Sequence, residues 1–180
     1  IGKPKTRKFE DNGKVTFMHH DVVGAKITRK RMKALHFDHA MIADVSDLVE
    51  MHLRFHGYVD ERWSDAAVRR YVKDAGHLYH RLNRLTRADA TTQNKAKEQM
   101  FARAMDDLEE RVIELKKKED FEAIRPDVNG DQIMEILGLQ PGPYVGKAYK
   151  HMLDFRLDNG PVEYDVAVEE LKRWWKQKGE

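Results

Sequence analysis

Phe101, Met105, Leu108, Val112 and Leu115 recur in steps of four, three, four and three. That spacing holds them on one stripe of a single long α-helix, which needs packing partners along its whole length. The same period governs most of the remaining chain. Over about 21–35, Val23, Ile27, Ala34 and Leu35 share one side of a helix. A second helix, capped by Asp38, is expected to reach about His56 and stop at Gly57, with Met41, Ile42, Val45, Leu48, Val49 and Leu53 as its apolar stripe. Ser64 caps a third, with Asp65 near its positive end, and Gly76 ends it. Leu78, Leu82 and Leu85 mark a fourth over about 77–88, and Thr91 or Thr92 starts the long one.

Arg125-Pro126-Asp127 reads as a break, because proline drives its predecessor out of helical geometry. A short helix over 131–137 ends at Gly138, Pro141-Gly142-Pro143 launches another to about Gly160, and a last one carries Trp174 and Trp175. The Trp and Met residues at helical spacing are read as core. Only 7–18 departs from the pattern: the turn triplet Asp11-Asn12-Gly13 between short apolar runs reads as a small hairpin or an ordered loop. The predicted fold is an all-α helical bundle.

Composition narrows the function classes. The chain of 180 residues is 36% charged and 41% hydrophobic, which suits a packed core rather than disorder. A net charge of +2 supplies no global field toward polyanions, so any such binding rests on local clusters. Without cysteine there is neither a disulfide framework nor a thiolate metal site, which suits a cytoplasmic location. No apolar run approaches a membrane span, so no membrane partner is expected.

Three places have residues suited to chemistry. His20 and Asp21 open the first helix, and His52 and His56 fall within the apolar stripe of the second. A buried imidazole needs a partner at each nitrogen: a divalent transition metal is one, a backbone carbonyl or carboxylate another. The second place is a pair of cationic clusters. Lys26, Arg29, Lys30 and Lys33 cover one side of a helix in a stretch, 22–37, that has no acid; Arg69, Arg70 and Lys73 and then Arg81, Arg84 and Arg87 follow on the next two helices. Spaced cations neutralise phosphates, although most charged stripes are simply solvated faces. The third is the Pro141-Gly142-Pro143 helix start with Lys147 and Lys150, where free N–H groups suit an anion. Nucleophilic triads, phosphate loops, dinucleotide-binding glycines and the paired aspartates of a nucleotidyltransferase head are all missing.

Longer stretches carry more. IGKPKTR, VTFMHHDVVGAK and LVEMHLRFHGY, with WSDAAVRRYVKDAG, LNRLTRADATTQNK and AIRPDVNGDQIMEILGLQPGPYVGKAY, resemble the HD-type domain and following helices of bacterial CCA-adding tRNA nucleotidyltransferases, a family related to poly(A) polymerase, and most of all its actinobacterial members. The resemblance implies a C-terminal fragment: a partial HD-like domain over 1–60, a helical body over 61–125 and a tail over 126–180. It implies that the parent enzyme adds CCA to tRNA from CTP and ATP with Mg²⁺, in a head and neck outside this chain, and that this part binds tRNA without catalysing. His20, Asp21 and His52 match metal-ligand positions of the HD site, whose His-Asp pair precedes the IGKP stretch in that family. Without that pair no tight metal and no phosphohydrolase activity are expected. The alternatives are an HD-type metal-dependent phosphohydrolase and self-association through the seam of 101–115.

Overall fold

In a computed structural model, residues 1–90, 94–119, 121 and 124–178 are described. The chain is mostly α-helical and contains one small two-stranded sheet. Its contacts group into two compact units, 1–62 with 75–107, and 63–74 with 108–180. Residues 61–125 contribute to both units.

The first unit opens with α1 (Lys3–Thr6) and a hairpin of β1 (Lys8–Phe9) and β2 (Val15–Thr16), antiparallel with Phe9 opposite Val15. Gly13 takes the turn at φ 78°, so the 7–18 segment resolves as a hairpin. Next come α2 (His20–Ala34) and α3 (His39–Met51), which pack closely because small residues line the contact. Gly24, Ala25 and Thr28 are buried on α2, Ile42 and Ser46 on α3. A Cβ on Gly24 would lie 3.1 Å from Val49 Cγ1, and one on Gly2 would lie 1.9 Å from the His20 carbonyl oxygen. Only glycine at position 2 lets α1 dock on α2 at this distance.

Asp38 caps α3 by accepting from the Met41 N–H (2.9 Å), but the helix ends at Met51, not at His56. His52 Nδ1 donates to the Val49 carbonyl (2.6 Å), and the Arg54 and His56 amides bond three residues back. A side chain competing for a backbone acceptor, followed by tightened turns, stops the helix. The turn drives Phe55 fully inside, where its ring meets Tyr58 and Phe101, and Gly57 falls within the short α4 (His56–Asp60). A 3₁₀ turn (Gly76–Leu78) and α6 (Tyr79–Asp89), with Leu82 buried, belong to the same unit.

The second unit holds α5 (Asp65–Ala75), α8 (Gly130–Leu137), α9 (Pro143–Asn159) and α10 (Tyr164–Lys178). The last three pack around Val128, Ile133, Ala148, Met152, Ala167 and Leu171. Local sequence sets their ends. Asn129 and Gln132 form a reciprocal capping box, Gly138 closes α8 at φ 65°, and Pro143 starts α9.

The long helix, α7 (Lys95–Lys118), contributes to both units. Asn94 Oδ1 accepts from the Ala96 and Lys97 amides; the start expected at Thr91 or Thr92 lies outside the described residues. Met105, Leu108, Val112 and Leu115 are all at most 5% exposed. These four seam residues pack within the chain, while Phe101 is half-buried.

Candidate nucleic-acid interface

The α2 stripe reaches the surface as the spacing predicts. Lys26, Arg29, Lys30 and Lys33 are all exposed, opposite the buried Gly24, Ala25 and Thr28. Arg29 lies 3.6 Å from Asp47, both about half exposed, a distance at which solvent screens most of the attraction. The three lysines have no carboxylate partner among the described residues. Four cations on one helix face with one weakly held countercharge can neutralise successive phosphates.

The other cations divide differently from the sequence expectation. Arg69 is a correction: its side chain is 9% exposed, with Nε donating to Glu119 Oε1 (2.8 Å) and Nη1 to the Leu157 carbonyl (3.3 Å). Glu119, itself 1% exposed, also accepts from Arg156 Nη1 (2.7 Å). Asp127 lies 3.5 Å from Arg156 Nε, yet burial raises its pKa above the ordinary value, outweighing the arginine. Arg69 therefore belongs to a buried ionic network and not to a surface. Arg70, the next residue, points outward and donates to Asp158 Oδ1 (2.8 Å), a bond that raises its pKa further. Lys73 is half-buried on the same helix.

In the first unit, Arg81 shares Asp44 with His77, Arg87 donates to Asp106 (2.7 Å), and Arg84 is exposed. Arg70, Arg81 and Arg87 are already compensated and offer less to an incoming phosphate than α2 does. Lys147 and Lys150 are exposed on α9, and Lys147 Nζ sits 5.1 Å from the centroid of the Tyr144 ring. Of the tryptophans that the spacing reads as core, Trp174 is half-buried and packs on the core cluster and Trp175 is half-buried, while Tyr144 beside the lysines is 60% exposed. The missed signal is that 143–153 and 171–178 are free of acids.

The two histidines do come together. The rings of His20 and His52 meet edge to face at 5.4 Å. Each donates from Nδ1 to the carbonyl three residues back, Phe17 for His20 (2.8 Å) and Val49 for His52 (2.6 Å). That fixes the tautomer and leaves each Nε2 as the lone-pair nitrogen; His20 Nε2 is buried with no partner. Two anchored imidazoles would supply at most two ligands of a metal shell. Among the described residues no group of three or more ligand-type side chains forms, so Asp21 does not complete one, and His56 is exposed against Phe101. The residues present do not fit a tight metal site. In the second unit, a cleft of about 230 Å³ lined by Phe155, Val166, Glu169, Glu170 and Arg173 has its one buried carboxylate, Glu170, already bonded to His151 and Arg173.

Fold and surface together define a mostly α-helical protein with uncompensated cationic helix faces and, among the described residues, no cluster of three or more metal-ligand side chains. Its relatives narrow the class. The chain is 32% identical over 178 residues to a CC-adding tRNA nucleotidyltransferase of Thermus thermophilus, a match covering 97% of this chain and 38% of that protein. It is 29% identical over 157 residues to an A-adding tRNA nucleotidyltransferase of Deinococcus radiodurans, covering 87% and 35%. The chain is thus similar over most of its length to tRNA nucleotidyltransferases, and spans little more than a third of these curated relatives. No protein-family model and no solved structure matches it. No described helix is long and apolar enough to cross a membrane.

Proposed function

We propose that this chain is the tRNA-gripping, non-catalytic C-terminal part of an enzyme that adds nucleotides of the CCA end to tRNA. Similarity over 97% of the chain to one such protein carries the reading. The exposed α2 face supports it from the physics: Lys26, Arg29, Lys30 and Lys33 form a contiguous cationic surface suited to the phosphates and 2′-hydroxyls of folded RNA, whose base edges are hard to reach. On this reading Mg²⁺, CTP and ATP act in a head and neck outside these residues, and the protein works in the cytoplasm. The proposed phosphate contacts are α2 with Arg81, Arg84 and Arg87 in the first unit and, taken separately, Arg70, Lys73, Lys147 and Lys150 in the second.

The double variant Lys26→Glu/Arg29→Glu tests this. Its affinity for a tRNA should fall about tenfold or more, and the slope of log K against log salt should lose roughly 0.7–0.9 per lost phosphate contact. An unchanged affinity and slope would remove α2 from the interface.

The paired histidines favour a second reading, a partial HD-type phosphohydrolase site, because both Nδ1–H groups are anchored and His20 Nε2 is orphaned. It predicts stoichiometric transition metal in purified protein and metal-dependent turnover of a phosphodiester, both lost in His52→Ala. Two ligands make a weak site, so the tRNA reading is preferred.

A further inference from the structure

The first half of α9 and the last half of α10 share a property the fold does not require. Residues 143–153 contain Lys147 and Lys150, residues 171–178 contain Lys172, Arg173, Lys176 and Lys178, and neither stretch has a carboxylate. Ring contacts bring the two stretches side by side. Tyr144 meets Trp175 edge to face at 5.9 Å, Trp175 adjoins Trp174 at 6.1 Å, and Trp174 stacks on His151 at 5.0 Å with 12° between planes. Trp174 packs against the core cluster of Ala148, Met152, Ala167 and Leu171, and Tyr144 and Trp175 extend the array beyond the residues of that cluster. Tyr144 is 60% exposed at its outer end.

The charges in the array divide into two sets. Glu170 accepts from both His151 and Arg173, so the Arg173 charge is answered locally. Lys147, Lys172, Lys176 and Lys178 are exposed and have no carboxylate partner among the described residues. Lys147 instead lies against the Tyr144 ring. An exposed tyrosine beside a half-buried tryptophan, set among unanswered ammonium groups, matches a ligand that combines flat π-surfaces with negative charge. An acidic protein would answer the lysines but not the rings. Base-paired RNA would offer phosphates but keep its bases stacked internally.

We propose that Tyr144 and Trp175, framed by Lys147 and Lys176, form a stacking platform for unpaired nucleobases of RNA, with the adjoining phosphates on the lysines. The proposal rests on the reading of this chain as RNA-binding and adds to it a second surface with different chemistry. The α2 face takes the phosphates of folded RNA; the α9–α10 face takes a base left unpaired within it.

The test titrates the whole chain with hexa-adenylate, with a blunt RNA duplex and with inorganic polyphosphate, following tryptophan fluorescence. Hexa-adenylate should quench the fluorescence and bind more tightly than polyphosphate of equal charge. Tyr144→Ala, at an exposed site that leaves the core intact, should weaken hexa-adenylate about 5- to 150-fold, the range for loss of one stacked base. Polyphosphate affinity should not change. Lys147→Gln/Lys176→Gln should instead reduce the salt slope for both ligands. The platform is overturned if hexa-adenylate does not bind, if Tyr144→Ala binds it as the parent does, or if polyphosphate quenches equally. In each of those cases, tRNA binding that still responds to Lys26→Glu/Arg29→Glu would leave the proposed function standing.

Discussion

Replacing Glu119 by glutamine probes how the second unit is held together. The Glu119 carboxylate is 1% exposed and receives Arg69 at 2.8 Å and Arg156 at 2.7 Å, guanidiniums that are themselves only 9% and 7% exposed. Glutamine keeps the shape and one acceptor oxygen but removes the charge, and its amide N–H₂ faces one of the arginines. Arg156 would then keep only Asp127, 3.5 Å away and with its own pKa raised by burial, and Arg69 would keep the Leu157 carbonyl. Breaking a buried pair from one side costs about 3–5 kcal/mol, mostly from the charge left behind. For a chain of this length each kcal/mol lowers Tm by roughly 2–4 °C, so circular dichroism should record a loss of about 6–20 °C. The control is Arg70→Ala at the exposed Asp158 pair, side chains 37% and 54% accessible, where the loss should stay within about 1 kcal/mol. If Glu119→Gln melts with Arg70→Ala, the network is not holding the unit and Arg69 returns to the list of surface cations.

Further expectations concern single positions. Burial raises the Asp127 pKa, so the folded state binds that proton more tightly than the unfolded one; stability falls as pH rises from the ordinary value of 3.8 through the folded value and stays lower above it. Asp127→Asn should therefore flatten the urea midpoint across that window and raise it at pH 7, and an unaltered pH profile would refute this. Gly2→Ala places a Cβ 1.9 Å from the His20 carbonyl oxygen and should cost about 1–3 kcal/mol, read as faster amide exchange in α1 and the first turn of α2; unchanged exchange would show that α1 shifts freely. Elemental analysis of protein purified without chelator should find well under one equivalent of transition metal, and a full equivalent lost in His52→Ala would overturn that.

Sequence reasoning read the helices best where a single local device sets an end. The Asp38 cap, Gly138 and Pro143 act within one turn, so neighbouring residues suffice to locate them. The end of α3 escaped because its cause is the His52 imidazole competing for a carbonyl, which apolar spacing does not register. Arg69 and Arg70 are the same residue type side by side; what separates them is Glu119, fifty positions away. A helical wheel holds part of the answer, since Arg69 lies about 60° from Val72 at the edge of the buried stripe while Arg70 lies on the far side. The α2 stripe was legible because neighbours i, i+3, i+4 and i+7 share a face without help from tertiary structure. The Tyr144–Trp175 contact was not, because thirty-one positions separate its members and only the packing of α9 against α10 joins them.

The most direct test of the central claim is binding of this chain to a tRNA lacking its terminal CCA, at low and at physiological salt, against unstructured RNA of equal length. The account predicts preference for the folded tRNA, with affinity falling steeply as salt rises. Equal binding of both RNAs, or none of either, would contradict it.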